Sequence, residues 1–257
     1  MSKICIQKMK RKSMLYKTGV EYGDYTVNYV QGCVHGCKYP CYAFSMAKRF
    51  GTVKSYADWV NPVIVSNTLE LLDKELPKLC NKINNVQLCF TTDPFMYDYN
   101  DIKELSLKVI KKINDYNIPC HVLTKGILPD ELLKTSKMNF YGITLVSLDE
   151  NFRRIFEPGT PSYGKRIHAL KALHDNGFKT WVSIEPYPTP NIIKQDLIEI
   201  LDSINFVDKV IFGRLHYNRK VSEYKGYKEF YNNCADIVEN YCKKNGIEVY
   251  IKNKTRT

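Results

Sequence analysis

Two kinds of apolar pattern alternate along this sequence, and together they predict its elements. Short runs rich in β-branched and aromatic residues predict strands over 25–30, 86–91, 120–124, 141–146, 179–184 and 209–212, with a last short strand over 248–251. Between them, apolar residues recur every three or four positions, as at Leu105, Val109 and Ile113. This periodicity predicts helices over 65–79, 102–116, 129–136, 163–176, 192–203 and 228–244.

The regular succession of strand and helix is typical of an α/β protein with a parallel sheet. Asn117 with Pro119, and Asn176 with Gly177, are turn residues that end a helix before the next strand. Six strand–helix units are fewer than the eight of a closed barrel, so the pattern predicts an incomplete parallel (β/α)6 TIM-type barrel in a single domain. We divide the chain into a basic N-terminal segment (1–24), the partial barrel (25–220) and a C-terminal helix with a short strand (221–257).

The chain of 257 residues contains nine cysteines and no apolar run near the ~18 residues of a membrane-spanning helix. Its first 13 residues are basic without an apolar stretch behind them. We therefore expect neither a membrane span nor a secretory signal, and we place the protein in the cytoplasm. Cysteines are reduced there, so a close group of them indicates a metal site or a reactive site.

The net charge of +11 is unevenly distributed along the chain. Residues 1–57 contain ten basic side chains against Glu21 and Asp24, which gives +8 and leaves +3 for the remaining 200 residues. A positive field of this kind attracts polyanions such as nucleic acids. An ordinary solubilising surface explains the same charge, and the sequence does not decide between the two.

Three cysteines, Cys33, Cys37 and Cys41, stand within nine residues directly after the first predicted strand. Neighbouring thiolates repel one another unless a metal holds them, and soft sulfur ligands select zinc or an iron–sulfur cluster. Zinc would take His35 or a distant residue as its fourth ligand, whereas a cubane on three cysteines leaves one iron open. No second pair of closely spaced cysteines completes a zinc site, which favours the cluster. We expect the other cysteines to be buried small apolar residues: Cys5, Cys80, Cys89, Cys120, Cys234 and Cys242.

Polar residues or glycine follow each predicted strand. The carboxyl ends of parallel strands are where α/β proteins build their sites. Ordinary capping and turn roles explain any one of these residues, but the whole set beside a cysteine loop indicates one site. The set includes Thr92, Lys125, Ser147, Glu185 and Arg214.

The cysteine loop and three later motifs resemble the radical S-adenosylmethionine superfamily, specifically the branch similar to spore photoproduct lyase. The resemblance covers roughly residues 13–220, and its first and last motifs are specific. The motifs are Asn28-Tyr29-Val30-Gln31-Gly32-Cys33 with Gly36-Cys37-Lys38-Tyr39 and Cys41-Tyr42-Ala43; Thr91-Thr92-Asp93-Pro94; Leu123-Thr124-Lys125; and the run from Ser147-Leu148-Asp149 through Glu157-Pro158-Gly159-Thr160-Pro161 to Lys165-Arg166.

This resemblance implies a [4Fe-4S] cluster on Cys33, Cys37 and Cys41, with S-adenosylmethionine (SAM) chelating the open iron. It also implies an external one-electron reductant of the flavodoxin or ferredoxin type. The electron breaks the C5′–S bond of SAM, and the resulting 5′-deoxyadenosyl radical takes a hydrogen atom from the substrate. By position, the residues that would bind SAM or shield the cluster are Thr92, Lys125, Ser147, Glu185 and Tyr42. Arg214 would be a cation for the substrate or the cofactor, and we assign it to the substrate.

The substrate itself is left open. Nucleic acid is one candidate, because of the basic charge near the cysteine loop, and a peptide or a small metabolite is another. A zinc-stabilised nucleic-acid-binding module without catalysis is the alternative from a different class of protein.

Two positions depart from the pattern of the resembled proteins. The superfamily normally has two residues between its last two cysteines, whereas Pro40 makes the spacing three here. In the lyase, a cysteine two residues before the hydroxyl residue of the strand-end motif returns a hydrogen atom to the product radical; Phe90 occupies that position here. Strand alternation would turn the adjacent Cys89 away from the barrel interior, so we expect no thiol relay and a substrate other than spore photoproduct.

Overall fold

The computed structural model describes residues 7–20 and 23–256. Cys5 and part of the basic N-terminal segment, including Glu21, lie outside the described residues. The strands are β1 (Gln7–Met9), β2 (Leu15–Lys17), β3 (Tyr25–Val27), β4 (Val30–Gln31), β5 (Val63–Val65), β6 (Val86–Leu88), β7 (Cys120–Thr124), β8 (Phe140–Thr144), β9 (Lys179–Tyr187), β10 (Lys209–Arg214) and β11 (Glu248–Ile251). The helices are α1 (Tyr42–Arg49), α2 (Tyr56–Trp59), α3 (Thr68–Leu79), α4 (Asn100–Asn114), α5 (Glu150–Phe156), α6 (Tyr163–Asp175), α7 (Leu197–Asp202), α8 (Arg219–Glu223) and α9 (Tyr227–Asn245), with 3₁₀-helices at Cys80–Lys82 and Asp130–Lys134.

The main sheet has eight strands in the order β11-β10-β9-β8-β7-β6-β3-β2. Every neighbouring pair from β3 to β11 is parallel, and only β2 runs antiparallel to its neighbour. The six strands predicted for the barrel are therefore adjacent in chain order, and β11 extends their edge. This arrangement confirms the incomplete parallel barrel in a single domain.

The first predicted strand is divided between two sheets. The chain leaves the main sheet after Val27, and Val30 pairs with Ile64 in a small sheet of order β1-β5-β4. Asn28 fixes the departure, because its carbonyl accepts from Arg11 Nη1 at 2.8 Å and its side chain accepts from the amide of Thr91 at 3.1 Å. The cysteine loop follows directly from this turn.

Helices cover the outer face of the sheet at the positions that the apolar periodicity predicts. The predicted helix over 129–136 is instead a 3₁₀-helix, which begins after Pro129. The sequence pattern missed α1, α2, α5 and α8, which have four to eight residues and are too short to show a period. Two of these short helices, α1 and α2, adjoin the cysteine loop. Among the described residues, no helix is both long enough and apolar enough to span a membrane.

The outer face of the sheet and the helices that cover it enclose one large apolar core. Fully buried strand residues form its centre: Val27, Leu88, Val122, Ile143, Val182 and Phe212. Burial of side chains this size stabilises the fold by roughly 1.5 to 3 kcal/mol each, before chain entropy is counted. The expected burial of the isolated cysteines is confirmed for Cys89, Cys120, Cys234 and Cys242, whereas Cys80 is half-buried.

Candidate active site

A cavity of about 600 Å³ opens at the carboxyl ends of the parallel strands. The cysteine loop forms one wall, and the ends of β9, β10 and β11 form the opposite one. Eight of the residues assigned from the sequence line this cavity: Cys33, Cys37, Cys41, Tyr42, Thr92, Lys125, Glu185 and Arg214. Ser147 is fully buried and does not line it, whereas Thr144 does.

Glycine at position 32 turns the chain from β4 into the cysteine loop. Gly32 has φ +86°, and a Cβ atom there would lie 2.6 Å from the carbonyl oxygen of Trp59. The amide of Cys33 donates to that same oxygen at 2.8 Å. The loop therefore lies directly on the end of α2, and any larger residue at position 32 would separate the two.

The other two cysteines are held by the short helices beside the loop. Tyr56 donates from its hydroxyl to the carbonyl of Cys37 at 3.0 Å, and Cys41 is the residue that precedes α1. Between them, Tyr39 is buried whereas Pro40 is exposed. The extra residue of the loop thus lies at an exposed part of the cavity lining, and all three thiols still line the same cavity.

Two of the thiols, those of Cys33 and Cys37, lie in an environment that disfavours bare thiolates. Burial raises the pKa of Cys33, and the charges of Asp93 and Cys37 raise it further. Burial also raises the pKa of Cys37 to about 11, although the charge of Lys125 opposes this. Without added positive charge these thiols stay protonated, so a bound metal group would supply the charge that their ionised forms need.

Asp93 connects the cysteine loop to two strand ends. Its carboxylate accepts hydrogen bonds from the side chain of Thr124 at 2.6 Å and from the amides of Lys125 and Phe95, both at 2.8 Å. On its other side, His35 Nδ1 lies 3.4 Å from Asp93 Oδ2. One buried carboxylate thereby fixes the positions of the loop, of β7 and of the segment after β6.

His35 belongs to this support and is not directed at the cavity as a free ligand. Its side chain is 1% exposed, and Nε2 accepts from the amide of Tyr97 at 3.4 Å. Burial lowers the pKa of His35, against the opposing charge of Asp93. The ring is therefore neutral at pH 7 with its proton on Nδ1, facing Asp93.

Lys125 lies between the cysteine loop and a buried ion pair. Its ammonium contacts Glu157 Oε1 at 2.7 Å and the hydroxyl of Tyr39, and it lies 3.9 Å from Cys37 Sγ. Glu157 also binds Arg166 Nη2 through Oε2 at 2.8 Å, and both of those side chains are fully buried. Burial alone would raise the pKa of Glu157, but the charges of Lys125 and Arg166 lower it to about 2.

Of the other residues assigned to SAM, Thr92 and Tyr42 line different parts of the cavity and Ser147 lies outside it. Thr92 donates from its hydroxyl to the carbonyl of Gly32, which joins the end of β6 to the start of the cysteine loop. Tyr42 is 53% exposed at the rim, with its ring edge against Phe90 at 6.1 Å between centroids. Ser147 accepts from the amide of Asp149 at 3.0 Å, just before α5, so its hydroxyl belongs to a turn.

The opposite wall carries alternating charges. Glu185 lies over Gly213, where a Cβ atom would be 2.9 Å from the carboxyl carbon, and its Oε2 is 2.9 Å from Lys252 Nζ. Arg214 donates from Nε to Nδ1 of His216 at 3.3 Å. Glycine at position 213 is thus required for Glu185 to reach the cavity.

The expectation that Cys89 faces away from the barrel interior is wrong. Both Cys89 and Phe90 line the cavity, because Cys89 has φ +50° and the alternation of a regular strand ends at Leu88. A buried thiol is therefore present on the cavity wall beside Phe90. Strand geometry gives no reason to exclude a thiol relay at this position.

The sequence motifs include Asp93, Glu157, Arg166 and Tyr39, but motif position assigned these residues no role. The motifs do not show which residues meet in the folded protein. Four residues from three separate segments come together here: Tyr39, Lys125, Glu157 and Arg166. The signal that could have found Glu157 is its place directly before a turn with proline and glycine, which leads into a helix that contains an arginine. His216 and Lys252 carried no signal in the sequence.

Comparisons with known proteins agree with this geometry. The chain is 32% identical over 244 residues to an uncharacterized protein of Methanocaldococcus jannaschii, which covers 93% of this chain and 88% of that protein. It is 25% identical over 222 residues to an uncharacterized protein of Acidianus two-tailed virus, which covers 80% and 72%.

Similarity to solved structures extends over nearly the whole chain. Spore photoproduct lyase complexed with dinucleoside spore photoproduct has a TM-score of 0.70 at 15% identity, over 95% of this chain and 82% of the lyase. A lyase variant with bound AdoMet and the same dinucleoside has a TM-score of 0.72, also at 15% identity, over 95% and 81%. At such identities the similarity shows the fold. The family model described as the radical SAM superfamily matches residues 27–204, which include the cysteine loop and most of the barrel, and this chain belongs to that superfamily.

Proposed function

We propose that this protein holds a [4Fe-4S] cluster on Cys33, Cys37 and Cys41 and uses it to cleave SAM reductively. Its superfamily implies an iron–sulfur cluster and SAM. The observation that carries the proposal is the single cavity that all three thiols share with Thr92 and Lys125. The bound cluster, reduced by an external flavodoxin or ferredoxin, supplies one electron that splits SAM into methionine and a 5′-deoxyadenosyl radical, which abstracts a hydrogen atom from the substrate.

The donor set fits a cluster better than a single zinc ion. Among the described residues, no three His, Cys, Asp or Glu side chains converge on the position of one metal ion. A cubane binds its thiolates at separate corners, so its ligands lie further apart than those of a single tetrahedral ion. The nearest additional zinc ligand in the loop is His35, whose two ring nitrogens already face Asp93 and the amide of Tyr97.

The chain's own residues then bind and orient SAM. Lys125 has three N–H donors, of which two bind Glu157 and Tyr39 and the third is directed at Cys37 Sγ at 3.9 Å. The SAM carboxylate would take the place of this long contact with sulfur. Thr92 retains acceptor capacity on its hydroxyl, and Glu185 can accept from ribose hydroxyls. Tyr42 shields the rim of the cavity on the cluster side. We assign Ser147 no contact with SAM, since its hydroxyl belongs to the turn before α5.

Nucleic acid is the substrate class that we favour for this cavity. The exposed lysines near the cysteine wall include Lys38, Lys48 and Lys54, and exposed aromatic rings stand at the rim. Cationic and aromatic groups together bind nucleic-acid phosphates and bases. A peptide or a metabolite is the other outcome of a substrate screen. We expect the enzyme to act in the reducing cytoplasm, where an oxygen-sensitive cluster survives.

Anaerobic reconstitution tests the proposal directly. We expect about four iron and four sulfide per chain, the number that a [4Fe-4S] cluster contains. With dithionite and SAM, the protein should release 5′-deoxyadenosine and methionine. Cys37→Ala should abolish cluster assembly, because two thiolates do not retain a cubane. Cys80→Ala is the matched control, since Cys80 lies outside the cavity lining and its loss should leave the iron content unchanged.

Two results would contradict the proposal. Stoichiometric zinc without iron after reconstitution would make the loop a structural metal site. A full and stable iron load in the Cys37→Ala variant would remove that residue from the ligand set.

A further inference from the structure

Arg214 presents a buried cationic donor that the described part of the protein leaves unpaired. Its Nη1 is inaccessible to solvent and has no hydrogen-bond partner, while Nε donates to Nδ1 of His216 at 3.3 Å. An unpaired buried donor destabilises a protein, and more so when it is charged. Arg214 lies at the end of β10, on the wall opposite the cysteine loop.

The surroundings of Arg214 carry more positive than negative charge, with Lys252 and Lys254 against Glu185. Burial lowers the pKa of His216, and the charges of Arg214, Lys252 and Lys254 lower it further. His216 is therefore neutral at pH 7, and because its Nδ1 accepts from Arg214, its proton is on Nε2. Lys252 is paired with Glu185 at 2.9 Å, but no carboxylate of the described residues forms an ion pair with Arg214.

We propose that Arg214 and His216 form a subsite for an oxyanion of the substrate, a phosphate or a carboxylate. A guanidinium presents parallel N–H groups that match both oxyanions, and the ring Nε2–H of His216 adds a neutral donor next to it. Tyr217, which is 90% exposed, has its ring centroid 5.8 Å from that of His216 and supplies an apolar surface at the rim.

This subsite rests on the proposed function, which assigns SAM to the cysteine wall, and it gives the substrate a required chemical feature. The molecule that enters the cavity carries a negative charge at the end facing β10. Its reacting carbon then lies between that anchor and the cysteine wall. A neutral metabolite or an uncharged peptide segment could accept a hydrogen bond from Nη1 but would leave the guanidinium without a counter-charge.

Calorimetric titration of the reconstituted protein with inorganic phosphate and, separately, with acetate tests the subsite. We expect saturable binding of at least one oxyanion by the wild-type protein. Arg214→Gln should weaken this binding at least tenfold. Arg214→Lys keeps the charge but loses the parallel N–H groups, so it should weaken the binding less. Arg256→Gln is the matched control, because Arg256 forms an exposed pair with Asp236, and oxyanion binding should be unchanged. Thermal unfolding of each variant shows that it is folded.

SAM is titrated into the same variants to separate the two possible sources of a carboxylate. If Arg214→Gln weakens SAM binding by the same factor as oxyanion binding, the subsite belongs to the cofactor and the inference is overturned. Oxyanion binding that is equal in the wild type and in Arg214→Gln also overturns it. A protein that assembles no cluster and forms no 5′-deoxyadenosine would instead contradict the proposed function, whatever it does with phosphate.

Discussion

Among single residues, Glu157 positions more of the side chains in the site than the cysteine-loop motifs suggest. Its carboxylate is fully buried between Lys125 and Arg166, and it also accepts from the hydroxyl of Tyr39. Desolvation of three charges is costly, and the attraction among them repays it only while every partner is present. Glu157 thus determines where the ammonium of Lys125 lies relative to Cys37.

We predict that Glu157→Gln destabilises the protein by roughly 3 to 5 kcal/mol, because it leaves buried cations without their counter-charge. Denaturant unfolding at pH 7 measures the change. Glu239→Gln is the control, since Glu239 pairs with Arg256 at the surface and its loss should cost less than about 1 kcal/mol. Equal effects of the two substitutions would mean that the buried pair contributes no more than an exposed one.

The acid sensitivity of the fold should depend on the same carboxylate. The pKa of Glu157 is lowered from 4.5 to about 2, so its contribution is complete above pH 4.5 and is lost as the pH falls towards 2. We expect the wild type to lose about 3 kcal/mol more of its free energy of unfolding over this window than Glu157→Gln does. Unfolding curves of both proteins between pH 7 and pH 3 capture about 2 kcal/mol of this difference, because with a folded pKa of about 2 the rest is lost below pH 3. Parallel pH profiles of the two proteins would contradict the assignment of this acid sensitivity to Glu157.

The residues of the site were only partly predictable. Thiols and strand-end side chains follow from sequence position, which is why Cys33, Thr92 and Lys125 line one cavity as a motif-based assignment expects. Contacts between distant segments do not follow from position. Lys125 therefore appeared as a free cation in the sequence, and Ser147 appeared as a cavity residue although a turn occupies its hydroxyl.

At the scale of elements, the strand ends approach one another so closely that glycine is required between them. Gly126 follows Lys125 after β7, and a Cβ atom there would overlap the carbonyl oxygen of Phe95. The amide of Gly126 donates to Thr124 at 2.8 Å. The backbone of Phe95 cannot move without disturbing the bond from its own amide to Asp93.

We predict that Gly126→Ala destabilises the protein by roughly 1 to 3 kcal/mol through overpacking, and that it displaces Lys125. Gly164→Ala is the matched control, because Gly164 lies exposed in α6 with nothing near its Cβ position. That substitution should stabilise the protein by roughly 0.5 to 1 kcal/mol. Thermal or denaturant unfolding measures the change in stability of each variant. SAM titration shows whether the displacement of Lys125 weakens cofactor binding. Similar stability changes in the two variants would show that the contact with Phe95 relaxes freely.

The elements themselves were largely predictable, and the exceptions have physical causes. Parallel strands buried on both faces produce apolar runs that mark β7 to β10 within a few residues. Cys89 departs from the pattern because its φ of +50° is a feature of the turn after β6, which no periodicity encodes. Residues 30–31 look like a continuation of β3, but they pair with β5 in a second sheet.

Considering the molecule as a whole, residues 7–20 of the basic N-terminal segment are part of the fold. Lys8 lies in β1 and pairs in register with Ile64, and Arg11 donates to the carbonyl of Asn28 at 2.8 Å. Arg11 is therefore a structural residue at the turn before the cysteine loop. The side chains of Lys8, Lys10 and Lys12 are exposed, so these three of the four basic residues at positions 8–12 can contact phosphates.

These three lysines are the candidates for nucleic-acid binding by the N-terminal segment. If they contact phosphates, replacing all three with glutamine should weaken binding of a single-stranded oligonucleotide and flatten its salt dependence. The log–log slope should fall by about 0.7 for each phosphate that is no longer neutralised. Substitution tests the charge more cleanly than deletion of the segment, because deletion would also remove β1 from its sheet and the hydrogen bond from Arg11 to Asn28.

The matched control replaces Lys228, Lys243 and Lys244 with glutamine, since these lysines are exposed on α9 and the same net charge is removed. Fluorescence anisotropy over a range of salt concentrations measures both affinity and slope. A decrease confined to the N-terminal triple variant indicates a local contact surface, since a general field of +11 would respond equally to either set. Equal decreases in both variants would assign the affinity to net charge alone, and the N-terminal lysines would then be ordinary surface.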